Sequence, residues 1–349
     1  MSTGSYRSEG NLGLQAGEEP RWIEGRGTNP VPTASHPDLQ VRVVPSRLNF
    51  FILGVSSCLN AGLLWGCSHS HSIWIQLVYA WAFSYSNNTL FGLVHESVHR
   101  SWNRSRWVND LGGVLASVWH PTGLVFQRIC HFGHHLRNRT DHEIFDMYYE
   151  KDNRVLKFLQ FYGILTGVYW MTLVLGCLIY LLFPSVFRIS QWKSPWAKSA
   201  DFAMLEPFVN HPEQLRIRLE LGFSLLFQCT LFYFLDLKFL PWLLCYWSYG
   251  MNWGSLQYAD HAWSIRDIRE GAWNLKVLPW TRWIYLNYHF HLVHHRFPSL
   301  SWVDLPRYVS PKEEMPQFWK IYFKMWKGPT PVTSSAPQEL SPELRKDLQ

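Results

Sequence analysis

At 349 residues the chain is long enough for two soluble domains or one large one. Its hydrophobic share is 47% and its aromatic share 17%, while charged residues supply only 17% against the roughly 25% of ordinary soluble domains, so a plain soluble protein is disfavoured. A net charge of +6 without a long basic run makes nucleic acid a poor partner and an anionic bilayer surface a better one.

Residues 1–46 are polar and rich in Gly, Ser, Pro and charge, with no apolar core of a secretory signal. They are expected to form a disordered cytoplasmic N-terminus. Two apolar stretches follow, about residues 48–67 and 73–94, each near the ~20 residues that a helix needs to cross hydrocarbon. The five residues between them allow only a turn, so the pair predicts a helical hairpin. A buried helix pair in a soluble protein is the alternative, because Asn87 and Asn88 interrupt the second stretch.

A third apolar stretch, residues 159–183, ends at Pro184. The fourth, residues 219–256, is too long for one crossing and breaks at Asp236-Leu237-Lys238, with Pro241 beyond; it predicts a second hairpin. Residues 327–349 are rich in Pro, Ser and Thr and are expected to be a disordered tail. The expected organisation is therefore one membrane domain over residues 47–326 between two disordered ends. The six cysteines (Cys58, Cys67, Cys130, Cys177, Cys229, Cys245) form no CxxC pair and are expected as packed, reduced thiols.

Five full crossings would separate the histidine-rich segments on either side of residues 159–256. Charge offers a way out. Arg188, Lys193, Lys198, Arg216 and Arg218 make the segment before the fourth stretch basic, whereas the two tight turns have no positive excess. The basic segment is assigned to the cytoplasm, both turns to the far side, and residues 159–183 to a re-entrant or interfacial hairpin with flexible points at Gly163, Gly167 and Gly176. The expected fold class is all-α: a multi-pass bundle of about four spans plus that hairpin, under a cytoplasmic His-rich helical cap.

Three histidine clusters stand out among sixteen histidines. His95-Glu-Ser-Val-His99 closes the second stretch, His131-Phe-Gly-His134-His135 follows in a polar segment, and His291-Leu-Val-His294-His295 comes after the last hairpin. Residues three and four apart share a helix face, so each cluster projects two or three imidazoles toward one point. Chance gives such patterns far less than once in a chain of this composition. Lone histidines such as His36, His120 and His211 are better read as satisfied core residues. Eight imidazoles exceed the four ligands of a closed structural zinc site and suffice for two metals. Neutral nitrogen ligands leave iron, zinc, copper and nickel open.

HESVH, HFGHH and HLVHH, the last followed by Arg296-Phe297-Pro298, together resemble the histidine boxes of the membrane fatty acid desaturase and hydroxylase superfamily. Asn109-Asp110 and Asn287-Tyr288 share in the resemblance, which covers about residues 48–310. It implies two iron ions and O2 as co-substrate, with His95, His99, His131, His134, His135, His291, His294 and His295 as iron ligands. It further implies a ninth ligand just after the last span, where His261 stands; a surface-loop histidine is the alternative there. Asp141, Glu143 and Asp260 are candidates to hold the far nitrogens of the ligating rings. The implied chemistry is removal of hydrogen from a lipid-like C–H bond, ending as an alkene in a desaturase or as an oxygenated product in a hydroxylase or ketolase.

The chain carries no haem-binding domain, dinucleotide fingerprint or ferredoxin-like Cys cluster, so its electrons are expected from a separate ferredoxin, rubredoxin or cytochrome b5. The expected location is a bacterial inner membrane or the endoplasmic reticulum, with the boxes on the cytoplasmic side. Three other readings compete with this one. His95-Glu96-x-x-His99 is also the HExxH pattern of zinc proteases, but that chemistry leaves two clusters without work. A ferritin-like bundle needs a second Glu-x-x-His. A metal transporter places its histidines within the spans rather than at their ends. Trp102, Trp107, Trp192, Trp196 and Trp242 are assigned to an interfacial aromatic belt, and none to a substrate tunnel.

Overall fold

The computed structural model of the chain describes residues 43–188, 208 and 211–340. Most of the basic segment assigned to the cytoplasm, with Lys193, Lys198, Trp192 and Trp196, lies outside these residues, as do residues 1–42 of the N-terminal segment. Helices are numbered here in chain order among the described residues.

The first predicted hairpin is α1 (Ser46–His69) and α2 (Ile73–Val98). The second is α7 (Gln214–Phe234) and α8 (Phe239–Ala259). Between them come α3 (Arg106–Ser117), α4 (Leu124–Arg137), α5 (Arg154–Leu165) and α6 (Val168–Leu182). The short α9 (Thr281–Ile284) and α10 (His291–Arg296) lead to α11 (Phe318–Met325).

The two tight turns lie side by side. His69 Nε2 is 3.8 Å from an Asp236 carboxylate oxygen, and the Lys238 amide donates to Ser68 Oγ at 3.2 Å. Because α2 and α8 both start at these turns, their other ends, which carry the first histidine cluster and His261, lie together at the opposite end of the bundle.

α1 and α7 are each long and apolar enough to cross a membrane, and the α5–α6 pair meets the same test as one bent unit. α2 and α8 are as long but fall outside that test, being rich in Trp, Tyr and Asn, and the polar groups of α2 are used inside the bundle. Asn60 Nδ2 donates to Asn87 Oδ1 at 2.8 Å, Asn87 Nδ2 to the Trp119 carbonyl at 3.1 Å, and Asn252 Nδ2 to Ser84 Oγ at 3.1 Å. Buried polar groups are tolerated when hydrogen-bonded, so the Asn87-Asn88 pair does not expel α2 from the core.

Residues 159–183 fold as two helices bent by 90° at Thr166-Gly167. Gly167 has φ +78°, and an added Cβ would stand 2.9 Å from the Met251 amide nitrogen; the corner therefore needs a residue without a side chain. α5 follows α8 inward, with Phe161 against Tyr258 and Gly254 against Ile164. α6 then leaves past Trp170, stacked on Tyr246, and reaches α4 and the start of α7 through Cys177 and Tyr180, which cluster with Ile129, Ile217 and Leu221. The 90° bend suits one broken span as well as the re-entrant pair expected from the sequence.

α4 lacks a side-chain cap of its own. Glu220 of α7 supplies one, its Oε2 accepting from the Val125 amide at 2.8 Å where a carboxylate also suits the positive helix end. Two expectations need correction. Part of the tail assigned to disorder is ordered: Thr330–Pro331 pairs in parallel with Met147–Tyr148, and the Leu340 amide donates to the Leu136 carbonyl at 3.0 Å. Trp102 is wholly buried rather than interfacial, edge-on to Phe50 at 5.3 Å and packed against Gly112. Trp107, in contrast, is 71% exposed.

Candidate metal centre

The first cluster sits on the last turns of α2, the second on α4, the third on α10, and His261 just after α8. The fold brings all nine histidines together. Their ring nitrogens form two groups of four, each with its candidate ligand atoms within 4.8 Å of one another: His95, His99, His131 and His294, and then His134, His261, His291 and His295. His135 falls in neither quartet. Its Nε2 lies 3.0 Å from both His131 Nε2 and His294 Nε2, and its ring centroid is 4.5 Å from that of His295, between the two groups.

These contacts are not an ordinary hydrogen-bond network. His294 Nε2 is approached by the Nε2 atoms of His95 at 3.2 Å, His131 at 3.4 Å and His135 at 3.0 Å. One ring nitrogen carries a single proton or a single lone pair, and cannot serve three such neighbours. Lone pairs converging on a cation resolve the crowding, so the donor set fits metal ions. In the second group His291 Nε2 is 2.9 Å from His261 Nε2, and His134 Nε2 is 3.3 Å from His295 Nε2.

Protonation points the same way. Burial, with neighbouring imidazoles adding to it, pushes His131, His135, His291, His294 and His295 well below the usual histidine range. Burial and His134 do the same for His261. The rings are thus held in the neutral form that binds metal.

Two rings have their tautomer set from behind. Glu143 Oε2 lies 2.6 Å from His134 Nδ1, and the Gly271 carbonyl lies 2.8 Å from His261 Nδ1. Each oxygen accepts the Nδ1 proton and leaves the Nε2 lone pair facing the cluster. Of the three carboxylates expected in this role, Glu143 alone has this contact. Asp141 is instead held by Arg266 Nη2 and Tyr149 OH, both at 2.7 Å. Asp260 is fully buried and meets none of the histidines through a hydrogen bond among the described residues; burial pushes its carboxyl well above the carboxylate range.

Asn109 and Asp110 brace the first cluster from α3. Asn109 Nδ2 donates to the Ser97 carbonyl at 2.9 Å, and Arg128 Nη2 donates to that same carbonyl at 3.0 Å and to Asp110 Oδ1 at 2.8 Å. Arg216 Nη2 binds Asp110 Oδ2 at 2.7 Å. Glu96, the would-be base of a protease, accepts from Ser101 Oγ at 2.8 Å. Tyr288 stands between the groups, 5.0 Å from His95 and 4.7 Å from His291 by ring centroids, with its OH donating to Gln257 Oε1 at 2.7 Å.

Beside the histidines opens a cavity of about 150 Å³, lined by His131, His134 and His261 and by Phe91, Phe145, Ile164, Tyr169, Leu173 and Trp253. Its walls are mainly apolar side chains from α2, α5, α6 and α8. Trp253 was missed from sequence, because nothing in a Trp-rich helix marks which ring faces a cavity.

Residues 72–326 match the model of the family described as fatty acid desaturase, well over half of the chain. The chain belongs to the fatty acid desaturase family. No curated protein matches it significantly. Membership makes this desaturase-family chain an oxidoreductase of lipid metabolism in a membrane setting, and the family's use of iron agrees with the two imidazole groups found here.

Proposed function

We propose that the protein is a membrane-bound, O2-dependent di-iron enzyme that introduces a double bond into a fatty acyl chain. The observation that carries this reading is the pair of four-histidine groups opening on one apolar cavity. His95, His99, His131 and His294 would hold one iron, His134, His261, His291 and His295 the other, and His135 would serve from between them. Bound there, the two ions would supply the O2-dependent oxidation that an unactivated C–H bond requires.

The chain's own residues do the rest. Glu143 and the Gly271 carbonyl orient the ligating rings from behind. Phe91, Trp253 and Tyr288 exclude water and fix the reacting carbon near the histidines, which is positioning rather than chemistry. We place both tight turns on the far side of the membrane and the histidines on the cytoplasmic side, with α1, α2, α7 and α8 as the crossings. Electrons then come from a separate ferredoxin, rubredoxin or cytochrome b5.

The test is to express the full chain in membranes and compare lipid profiles by mass spectrometry with those of His294→Ala. A new unsaturated acyl chain, lost in the variant, is expected. A product heavier by one oxygen would replace the desaturase by a hydroxylase on the same centre, and bound zinc with neither product would overturn the oxidative reading.

A further inference from the structure

Midway along α8, Tyr249 meets His120 and Trp170, and all three are buried. The Tyr249 OH donates to His120 Nδ1 at 2.5 Å, and Trp170 Nε1 donates to the same nitrogen at 3.4 Å. A nitrogen that faces two donors carries the lone pair, so the proton of the neutral ring sits on Nε2. That Nε2 has no hydrogen-bond partner among the described residues. The phenol of Tyr249 therefore rests on a basic nitrogen inside the apolar core.

Aromatic rings continue from this pair in both directions. Toward the metal centre, the His120 ring lies 4.9 Å from Phe91 and 5.2 Å from Trp253 by centroids. Phe91 is 6.4 Å from Tyr288, and Tyr288 is 5.0 Å from His95. Toward the tight turns, Trp170 stacks on Tyr246 at 5.6 Å, and Tyr246 lies 4.9 Å from the half-buried Trp242. Trp242 is 5.9 Å from Phe239, which is exposed. Among aromatic side chains Trp and Tyr lose one electron most readily, and here they form a file from the histidines to the opposite end of the bundle.

An O2-dependent centre gives such a file a use. Desaturation draws half of the electrons that O2 consumes from the acyl chain itself, so without a chain in the cavity those oxidising equivalents stay beside the histidines. We propose that Tyr249 is a redox-active tyrosine that carries them away. It passes one electron to the metal centre by way of Trp253 and Tyr288, where each electron joins a proton from solvent in turning O2 to water. Its phenolic proton moves to His120 Nδ1, leaving a neutral tyrosyl radical beside an imidazolium. An oxidised phenol is a strong acid, and the base in hydrogen-bond contact with this one is His120. An electron then comes back through Trp242, Tyr246 and Trp170 from a thiol reductant that ends as disulfide, and His120 returns the proton. The inference rests on the O2-dependent reading above and adds a protective route to it.

The experiment reads a radical, not a lipid product. Iron-loaded full-length protein without lipid substrate is reduced, mixed with O2, rapidly frozen and read by electron paramagnetic resonance. The wild type is expected to give a tyrosyl signal that narrows when its tyrosines are ring-deuterated. Tyr249→Phe, which keeps the ring, and His120→Gln, which keeps an acceptor but no base, are expected to lose that signal at unchanged initial iron content. Under repeated exposure to O2, Tyr249→Phe should lose iron several-fold faster than the wild type, with oxygen added to its histidines in peptide mass spectra. Unsaturated product without a wild-type tyrosyl signal would overturn this proposal and leave the desaturase reading intact. A signal that survives Tyr249→Phe, or equal iron loss with and without the phenol, would overturn it as well.

Discussion

Glu143 holds the Nδ1 proton of His134 at 2.6 Å and also lies 3.3 Å from Arg137. Glu143→Gln keeps the shape but can turn an amide N–H toward Nδ1, removing the preference for the metal-binding tautomer. Iron affinity, measured by chelator competition, is expected to fall about 10–100-fold with little change in melting temperature. Unchanged affinity would remove Glu143 from the centre. Asp110 carries a different prediction. Burial alone would raise its pKa, but Arg128 and Arg216 hold the carboxyl down to about 2. A depressed folded-state value means stabilisation that is full above the unfolded value near 3.8 and is lost as pH falls toward 2. After solvent screening this amounts to about 1 kcal/mol. The melting difference between wild type and Asp110→Asn should therefore be largest above pH 4 and shrink below it. The eight box histidines were legible because helical spacing states which residues share a face. The division into two groups was not legible, nor was the intermediate position of His135, since spacing is silent on how separate helices dock. The Gly271 carbonyl could not be foreseen at all, because a backbone acceptor has no sequence signature.

Among the elements, both hairpins could be read from apolar length and the breaks at 68–72 and 236–238. The bend within residues 159–183 was readable only as flexibility, because a corner depends on what packs behind it. Here that is α8: a Cβ on Gly254 would stand 2.6 Å from the Ile164 carbonyl oxygen. Gly254→Ala must push α5 away from α8 and is expected to destabilise the protein by about 1–3 kcal/mol. It also shifts Ile164, a wall of the apolar cavity, so a lowered melting temperature should come with weaker acyl-chain binding. A variant as stable as wild type would show that the two helices separate at no cost. The paired strand at Thr330–Pro331 escaped sequence reading for a plain reason: two residues of ladder are too short for any periodicity.

Across the whole molecule, the two tight turns meet at one end and nine histidines converge at the other. A bundle built this way places the nine histidines at the helix ends, next to a cavity whose walls come largely from the helices themselves. Iron content is the most direct check on this arrangement. Metal analysis of full-length protein purified from membranes should find two iron atoms per chain. The His261→Ala/His291→Ala variant, which leaves the first group of four intact, should retain about one. A single zinc per chain, unchanged by that double substitution, would contradict the di-iron centre.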